Sequence, residues 1–122
     1  MSRTENCDAQ TNSKILGAVG LAAKARKCLI GTELCVESMR ANKGKLLLVA
    51  SDISDGTKKK LVKTAVFHKI PYTLISCSKG ELAHAAGKKS DAAAILLNDE
   101  GFAKIIDKLG IEIHITDTEV LD

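Results

Sequence analysis

Hydrophobic positions along the chain fall into alternating helical and strand-like patterns. From Ser13, a residue type that caps helices, Ile15, Leu16, Val19, Ala22 and Ala23 recur at the spacing of one helical face. Lys24, Arg26 and Lys27 close this helix, where cations suit the negative end of its dipole. Cys28-Leu29-Ile30 reads as a brief strand, and Gly31-Thr32 as the turn into a second helix. In that helix Leu34, Cys35, Ser38 and Met39 are expected inward, with Arg40 near its end. The unbroken run Leu46-Leu47-Leu48-Val49-Ala50 marks a strand buried on both faces. After a turn from Ser51-Asp52 to Gly56, a third helix is expected to reach about Lys69. Leu61, Val62, Ala65, Val66 and Phe67 form its inner face, while Lys58, Lys59, Lys60 and Lys63 stay in water.

Pro71 stops that helix, and Tyr72-Thr73-Leu74-Ile75 reads as another strand. Ser78 caps a short helix through Glu81, Leu82, Ala85 and Ala86, which Gly87 ends. Ala92 to Leu97 is a further buried strand. Asn98 or Asp99 then caps a last helix carrying Phe102, Ile105, Ile106 and Leu109, ended by Gly110. Ile111, Ile113 and Ile115 alternate with Glu112, His114 and Thr116, a pattern that suits an added edge strand. Strict alternation of strand and helix predicts a three-layer α/β/α sandwich around a central mixed sheet of about four strands. Residues 1–12 are polar and aperiodic and are expected to form a flexible tail before a single domain over 13–122.

Charge adds a direction to this picture. The net +3 is segregated: residues 13–90 carry fifteen bases against five acids, and residues 91–122 two bases against eight acids. A basic body suits a polyanionic partner, although lysines also simply solvate helix faces. Phe67 and Phe102 lie in apolar helical patterns and are expected in the core, which leaves no platform of exposed rings for base stacking. No apolar run approaches the ~20 residues of a membrane span. Met1 to Asn6 opens without an apolar stretch behind it, so a cytoplasmic location is expected. In that compartment Cys7, Cys28, Cys35 and Cys77 are expected as reduced thiols, Cys28 and Cys35 in the core.

Catalytic chemistry is not marked. Gly17-Ala18-Val19-Gly20 resembles part of a dinucleotide loop, but it lacks the third glycine and lies inside a helix with no strand before it. Gly44-Lys45 runs straight into a strand rather than a phosphate-binding helix. His68, His84 and His114 do not have metal-ligand spacing. The pattern is that of a binder without catalytic residues, cofactor or metal.

Several strings follow one another: Leu16-Gly17 with Leu21-Ala22 and Lys24; Gly31-Thr32-Glu33-Leu34; and Lys43-Gly44-Lys45 running through Ser51-Asp52. Thr57-Lys58-Lys59-Lys60, Ile70-Pro71, Leu82-Ala83-His84-Ala85-Ala86-Gly87 and Asn98-Asp99-Glu100-Gly101-Phe102-Ala103-Lys104 complete the series. In this order and spacing they resemble the kink-turn-binding ribosomal protein superfamily of the seven-Ae and thirty-e proteins, most of all its small bacterial YlxQ-type members. The resemblance implies structured RNA as partner, met by two loops. The turn at Gly31-Thr32 presents the start of the second helix to sheared G·A pairs. From the residues themselves, Lys27, Gly31 and Thr32 read as a phosphate-facing entrance, and Glu33 either as an acceptor for a base amino group or as a favourable first-turn helix charge. Helix N-termini expose unpaired N–H groups, which independently suits phosphate. The second loop is Lys88-Lys89-Ser90-Asp91 leading into Ala92, where small side chains let RNA lie close and two lysines meet phosphates.

The likeness has departures. Kink-turn binders of this family place Asn or Lys, then Glu or Gln, after Gly-Thr, and Lys three residues further on; here those positions hold Glu33, Leu34 and Glu37. The expected function is therefore non-catalytic binding of structured RNA by a ribosomal or translation-associated monomer. Two alternatives stand beside it. One is a protein-interaction module that keeps the fold without kink-turn recognition. The other is a substrate-recognition domain of the kind fused to RNA ribose methyltransferases, which here would need a partner subunit.

Overall fold

In the computed structural model, which describes residues 9–115, Ala9–Lys24 forms the first helix, α1. It begins four residues before Ser13, which is therefore inside the helix rather than its cap. Then follow β1 (Cys28–Ile30), α2 (Thr32–Arg40), β2 (Leu46–Val49), α3 (Asp55–Phe67) and β3 (Tyr72–Leu74). The series ends with α4 (Lys79–Ala85), β4 (Ala94–Leu97) and α5 (Glu100–Asp107).

The four strands form one mixed sheet in the order β1-β4-β2-β3. β4 is antiparallel to both of its neighbours, with Leu29 opposite Leu96 and Leu47 opposite Leu96, whereas β2 and β3 are parallel. The two central strands are buried at every position, which is why they read as unbroken apolar runs rather than alternating ones. Successive side chains go to opposite faces. Leu46, Leu48, Ile95 and Leu97 pack with Ile15 and Val19 of α1, Leu82 of α4 and Ile106 of α5. Leu47, Val49, Ala94 and Leu96 pack with Cys35 and Met39 of α2 and Leu61 and Ala65 of α3. Two cores, one on each face, give the α/β/α sandwich.

Local chemistry sets the helix ends. The Ser54 side chain accepts the Thr57 N–H at the start of α3, and that of Asp99 accepts the Phe102 N–H at the start of α5. Ser78 and Glu81 form a reciprocal capping box on α4. Gly20 lies where α1 crosses α4, and a Cβ there would stand 3.2 Å from the Ala85 carbonyl oxygen. Its place in the sequence answers to helix packing and not to a nucleotide loop.

Three expectations of burial are corrected. Leu34 is half exposed, Val66 is 49% exposed and Phe67 is 79% exposed. α3 ends at Phe67 rather than near Lys69; Leu61 and Ala65 take its inner face, and Phe67, two residues beyond Ala65, falls on the opposite side of the helix. Phe102 does pack against the first core. The expected edge strand is reduced to one antiparallel bridge, with Tyr72 and His114 exchanging two backbone hydrogen bonds and stacking their rings at 4.7 Å. Thr116, Cys7 and the greater part of the expected tail lie outside the described residues.

Candidate nucleic-acid interface

The strand directions bring the ends of β1, β2 and β3 to the same edge as the start of β4. Gly31 donates its N–H to Ala94 at 3.0 Å, and Ala50 donates to Ala93 at 2.9 Å. Ser51 donates to Cys77 at 3.0 Å, while the Lys79 N–H reaches the Asp52 carboxylate at 2.7 Å. Ala92 in turn donates to the Lys79 carbonyl at 3.0 Å. The Gly31 turn, the loop after β2, the start of α4 and the loop before β4 are thus tied together by backbone bonds.

Gly31 is the N-cap of α2 with φ +108° and ψ 151°, a conformation that L side chains rarely adopt. No side chain caps α2, so N–H groups of its first turn and the positive end of its dipole are offered outward. A Cβ on Gly31 would meet nothing within 4 Å. The glycine serves the backbone path and leaves the approach to the helix open. Thr32, the next residue, is half-buried.

Beside this turn, Lys60 of α3 lies 3.4 Å from the Glu33 carboxylate of α2. Glu33 is thus both a favourable first-turn acid and the partner of a lysine. Residue patterning left Lys60 on a solvated face. The signal that could have found it is the position of α3: a helix that follows a strand directly holds its first turns at that strand's exit, where Gly31 also stands. Lys58 and Lys59 are exposed on the same two turns. Lys88, Lys89 and Ser90 are exposed in the loop before β4, with the Lys88 N–H on the Ala83 carbonyl.

Two expected site residues are elsewhere. Ala92 is fully buried within the first core, so its methyl group faces inward, and Ala93 is the half-buried alanine at the surface. Lys27 stands at the opposite end of β1, where its carbonyl accepts the Asn98 N–H at 2.8 Å. Four residues of extended chain separate it from Gly31 by about 13 Å. Glu37 is exposed on α2. The Cys35 thiol is fully buried and donates to the Leu29 carbonyl at 3.6 Å. Burial pushes its pKa up to about 12 and raises that of Cys28. Both are protonated packing groups rather than nucleophiles.

The sequence model of the ribosomal protein L7Ae/L30e/S12e/Gadd45 family matches residues 13–107, from within α1 to the end of α5. The chain belongs to this family. A relative named RNA-binding protein YlxQ, from Enterococcus faecium, is 35% identical over 92 residues, covering 75% of this chain and 85% of the relative. A solved structure of a protein with unknown function from Bacillus halodurans C superposes with TM-score 0.72 at 32% identity, covering 79% of this chain and 95% of that one. The Giardia lamblia 15.5kD RNA binding protein shares the fold with TM-score 0.69 at 16% identity, covering 84% and 87%. Among the described residues, no helix is long and apolar enough to cross a membrane.

Proposed function

We propose that the chain binds structured RNA without catalysis, at the sheet edge formed by the Gly31 turn, the first turns of α3 and the Lys88–Ser90 loop. The observation that carries this reading is the uncapped start of α2 beside an open glycine, in a family that includes an RNA-binding relative. Backbone N–H groups from Thr32 onward receive a phosphate or a base edge, and Gly31 lets the RNA come close. Lys60, Lys88 and Lys89 supply the salt-dependent attachment. Lys27 has no part in this surface. A kink or internal loop in the RNA suits the site better than a regular duplex, because bases there are splayed and accessible. The setting proposed is ribosomal RNA in the cytoplasm, with the protein acting as a monomer.

Leu34 and Glu37 favour one second reading, a surface that meets a protein. Both are exposed on α2 just beyond the proposed contact, and neither attracts phosphate.

The test compares binding to ribosomal RNA, a kink-turn hairpin and a matched straight duplex at about 50 and 200 mM salt, a range over which multi-phosphate binding weakens strongly. Preference for kinked or ribosomal RNA is expected. Equal and weak binding to all three, erased by salt, overturns the reading and turns attention to a protein partner.

A further inference from the structure

The opposite end of the sheet carries a second cationic surface. Arg26 and Lys27 precede β1, Lys43 and Lys45 precede β2, Lys69 precedes β3, and all five are exposed. Their loops are joined: Lys27 accepts from Asn98 at 2.8 Å, Leu97 accepts from Lys45 at 2.7 Å, and Pro71 accepts from Leu47 at 2.9 Å. A side-chain bond of 3.0 Å between His68 Nδ1 and Asn42 Oδ1 links the end of α3 to the turn before β2. Arg26, Asn42 and Lys69 adopt left-handed backbone angles near +60°, so the chain turns tightly before each of the three strands.

Two grooves, of about 740 and 450 Å³, meet at Gly44 and Lys45. Acids line them too: Glu37 in the first, and Glu100 and Asp107 in the second. Glu100 pairs with Lys104 at 3.9 Å. Among the described residues, none of the five cations has a carboxylate within 4 Å.

Phe67 stands beside this surface. Its ring is 79% exposed and lies edge-on against His68 at 4.9 Å between centroids. His68 is the residue that bonds Asn42, so Phe67 precedes by one residue the contact that ties α3 to the turn carrying Lys43. Cations unpaired with protein acids, next to an exposed aromatic ring, are the two elements of a single-strand platform: phosphates run along the charges and a base stacks on the ring.

We infer that this end of the sheet is a second nucleic-acid contact, taking an unpaired RNA segment whose backbone runs over Lys43, Lys45 and Lys69 with one base stacked on Phe67. The inference goes beyond the site proposed at the Gly31 edge and does not depend on it. Together the two ends would let one protein join a structured RNA element to a flanking single strand.

Phe67→Trp tests the stacking directly, since the chain contains no tryptophan and the position is open enough to accept the larger ring. The full chain carrying this change is titrated with an unstructured oligoadenylate of about 12 nucleotides, within the usual span of a single-strand site. Quenching of the tryptophan emission at saturation is expected. In the native chain, Phe67→Ala should weaken this binding at least about fivefold, the low end for loss of one stacked base. Lys43→Glu with Lys45→Glu should weaken it further and lower the salt slope by about 1.4 for two phosphates lost. Lys14→Glu, at an exposed position of α1 that belongs to neither surface, should change neither value, which separates this contact from a general response to net charge. Unchanged emission at saturating oligonucleotide, or equal quenching by polyglutamate, overturns the inference. Circular dichroism of each variant confirms the fold.

Discussion

Lys60 Nζ lies 3.4 Å from the Glu33 carboxylate, and this contact joins the two helices that begin at the same edge of the sheet. Both side chains are well exposed, and such pairs contribute little to stability, ~0–1 kcal/mol. Their importance is for binding. Glu33 places a negative charge at the open start of α2 and occupies a cation that phosphate would otherwise engage. Glu33→Gln is therefore expected to leave denaturant stability within about 0.5 kcal/mol and to tighten RNA binding, with a salt slope steeper by about one. Lys60→Gln should shift the slope the other way. Titrations of the kink-turn hairpin at several salt concentrations, beside urea melts, check both; a slope unchanged in either variant places Lys60 outside the interface.

Gly31 and Gly44 separate conformational from steric demand. Both have φ beyond +100°, but an added Cβ at Gly31 meets open space, whereas at Gly44 it falls 2.7 Å from Leu96 Cδ1. Gly31→Ala should cost about 1–3 kcal/mol from backbone strain alone. Gly44→Ala should cost more, because buried Leu96 must also move in a close-packed core. Urea denaturation of the two variants gives the order. Affinity for the kink-turn hairpin should follow the reverse order, with Gly31→Ala the more damaging, since only Gly31 lies at the edge proposed to meet structured RNA.

How much of this was legible depends on the range of the physics involved. Leu46–Ala50 could be read as a strand because burial on both faces leaves no polar position to alternate. Ser78 and Glu81 could be read as a helix start because their chemistry is complete within four residues. Phe67 could not be placed, because the apolar positions from Leu61 to Phe67 are too many for one helical face: Leu61 and Ala65 meet the core, which leaves Val66 and Phe67 outward. Lys27 and Gly31 are near in sequence, yet a three-residue strand carries them to opposite edges. Lys60 and Glu33 are 27 residues apart, and only the topology brings them together. Segregated charge signalled a polyanion surface. It did not show that the lysines divide between two ends of one sheet.

Cys35 provides a pH signature. Its pKa is raised from 9.0 to about 12 by burial, so the folded protein keeps a proton that the unfolded chain releases above about pH 9. Stability from this group is fully present below that pH and falls at up to about 1.4 kcal/mol per pH unit as pH rises toward the folded value. Cys35→Ala should reduce the loss between pH 9 and 10.5 in urea melts, while lowering stability at pH 7 through the cavity it leaves. Alkylation by iodoacetamide at pH 8 should reach Cys35 only in urea. Rapid labelling of the native protein at Cys35 would contradict its burial.

Glu37 is the departure from the kink-turn contact set with the simplest electrostatic consequence. It is exposed on α2, one turn beyond the uncapped start, at the position where kink-turn binders carry lysine. A phosphate approaching to ~4 Å would be repelled by an amount on the order of 4 kcal/mol at an effective dielectric of 20, before salt screening reduces it. Glu37→Lys replaces that repulsion with attraction and disturbs no buried contact. Its expected effect is at least about tenfold tighter binding to the kink-turn hairpin at 50 mM salt, narrowing at 200 mM. Native stability should stay within about 0.5 kcal/mol. Adding Leu34→Glu restores a hydrogen-bond acceptor at a half-exposed position and should increase preference for the hairpin over the straight duplex rather than overall affinity, because base contacts specify where phosphate contacts only position. If both RNAs gain equally from the double change, the start of α2 meets backbone alone. If neither gains, RNA does not reach this part of α2, and its exposed leucine and glutamate belong to a protein contact.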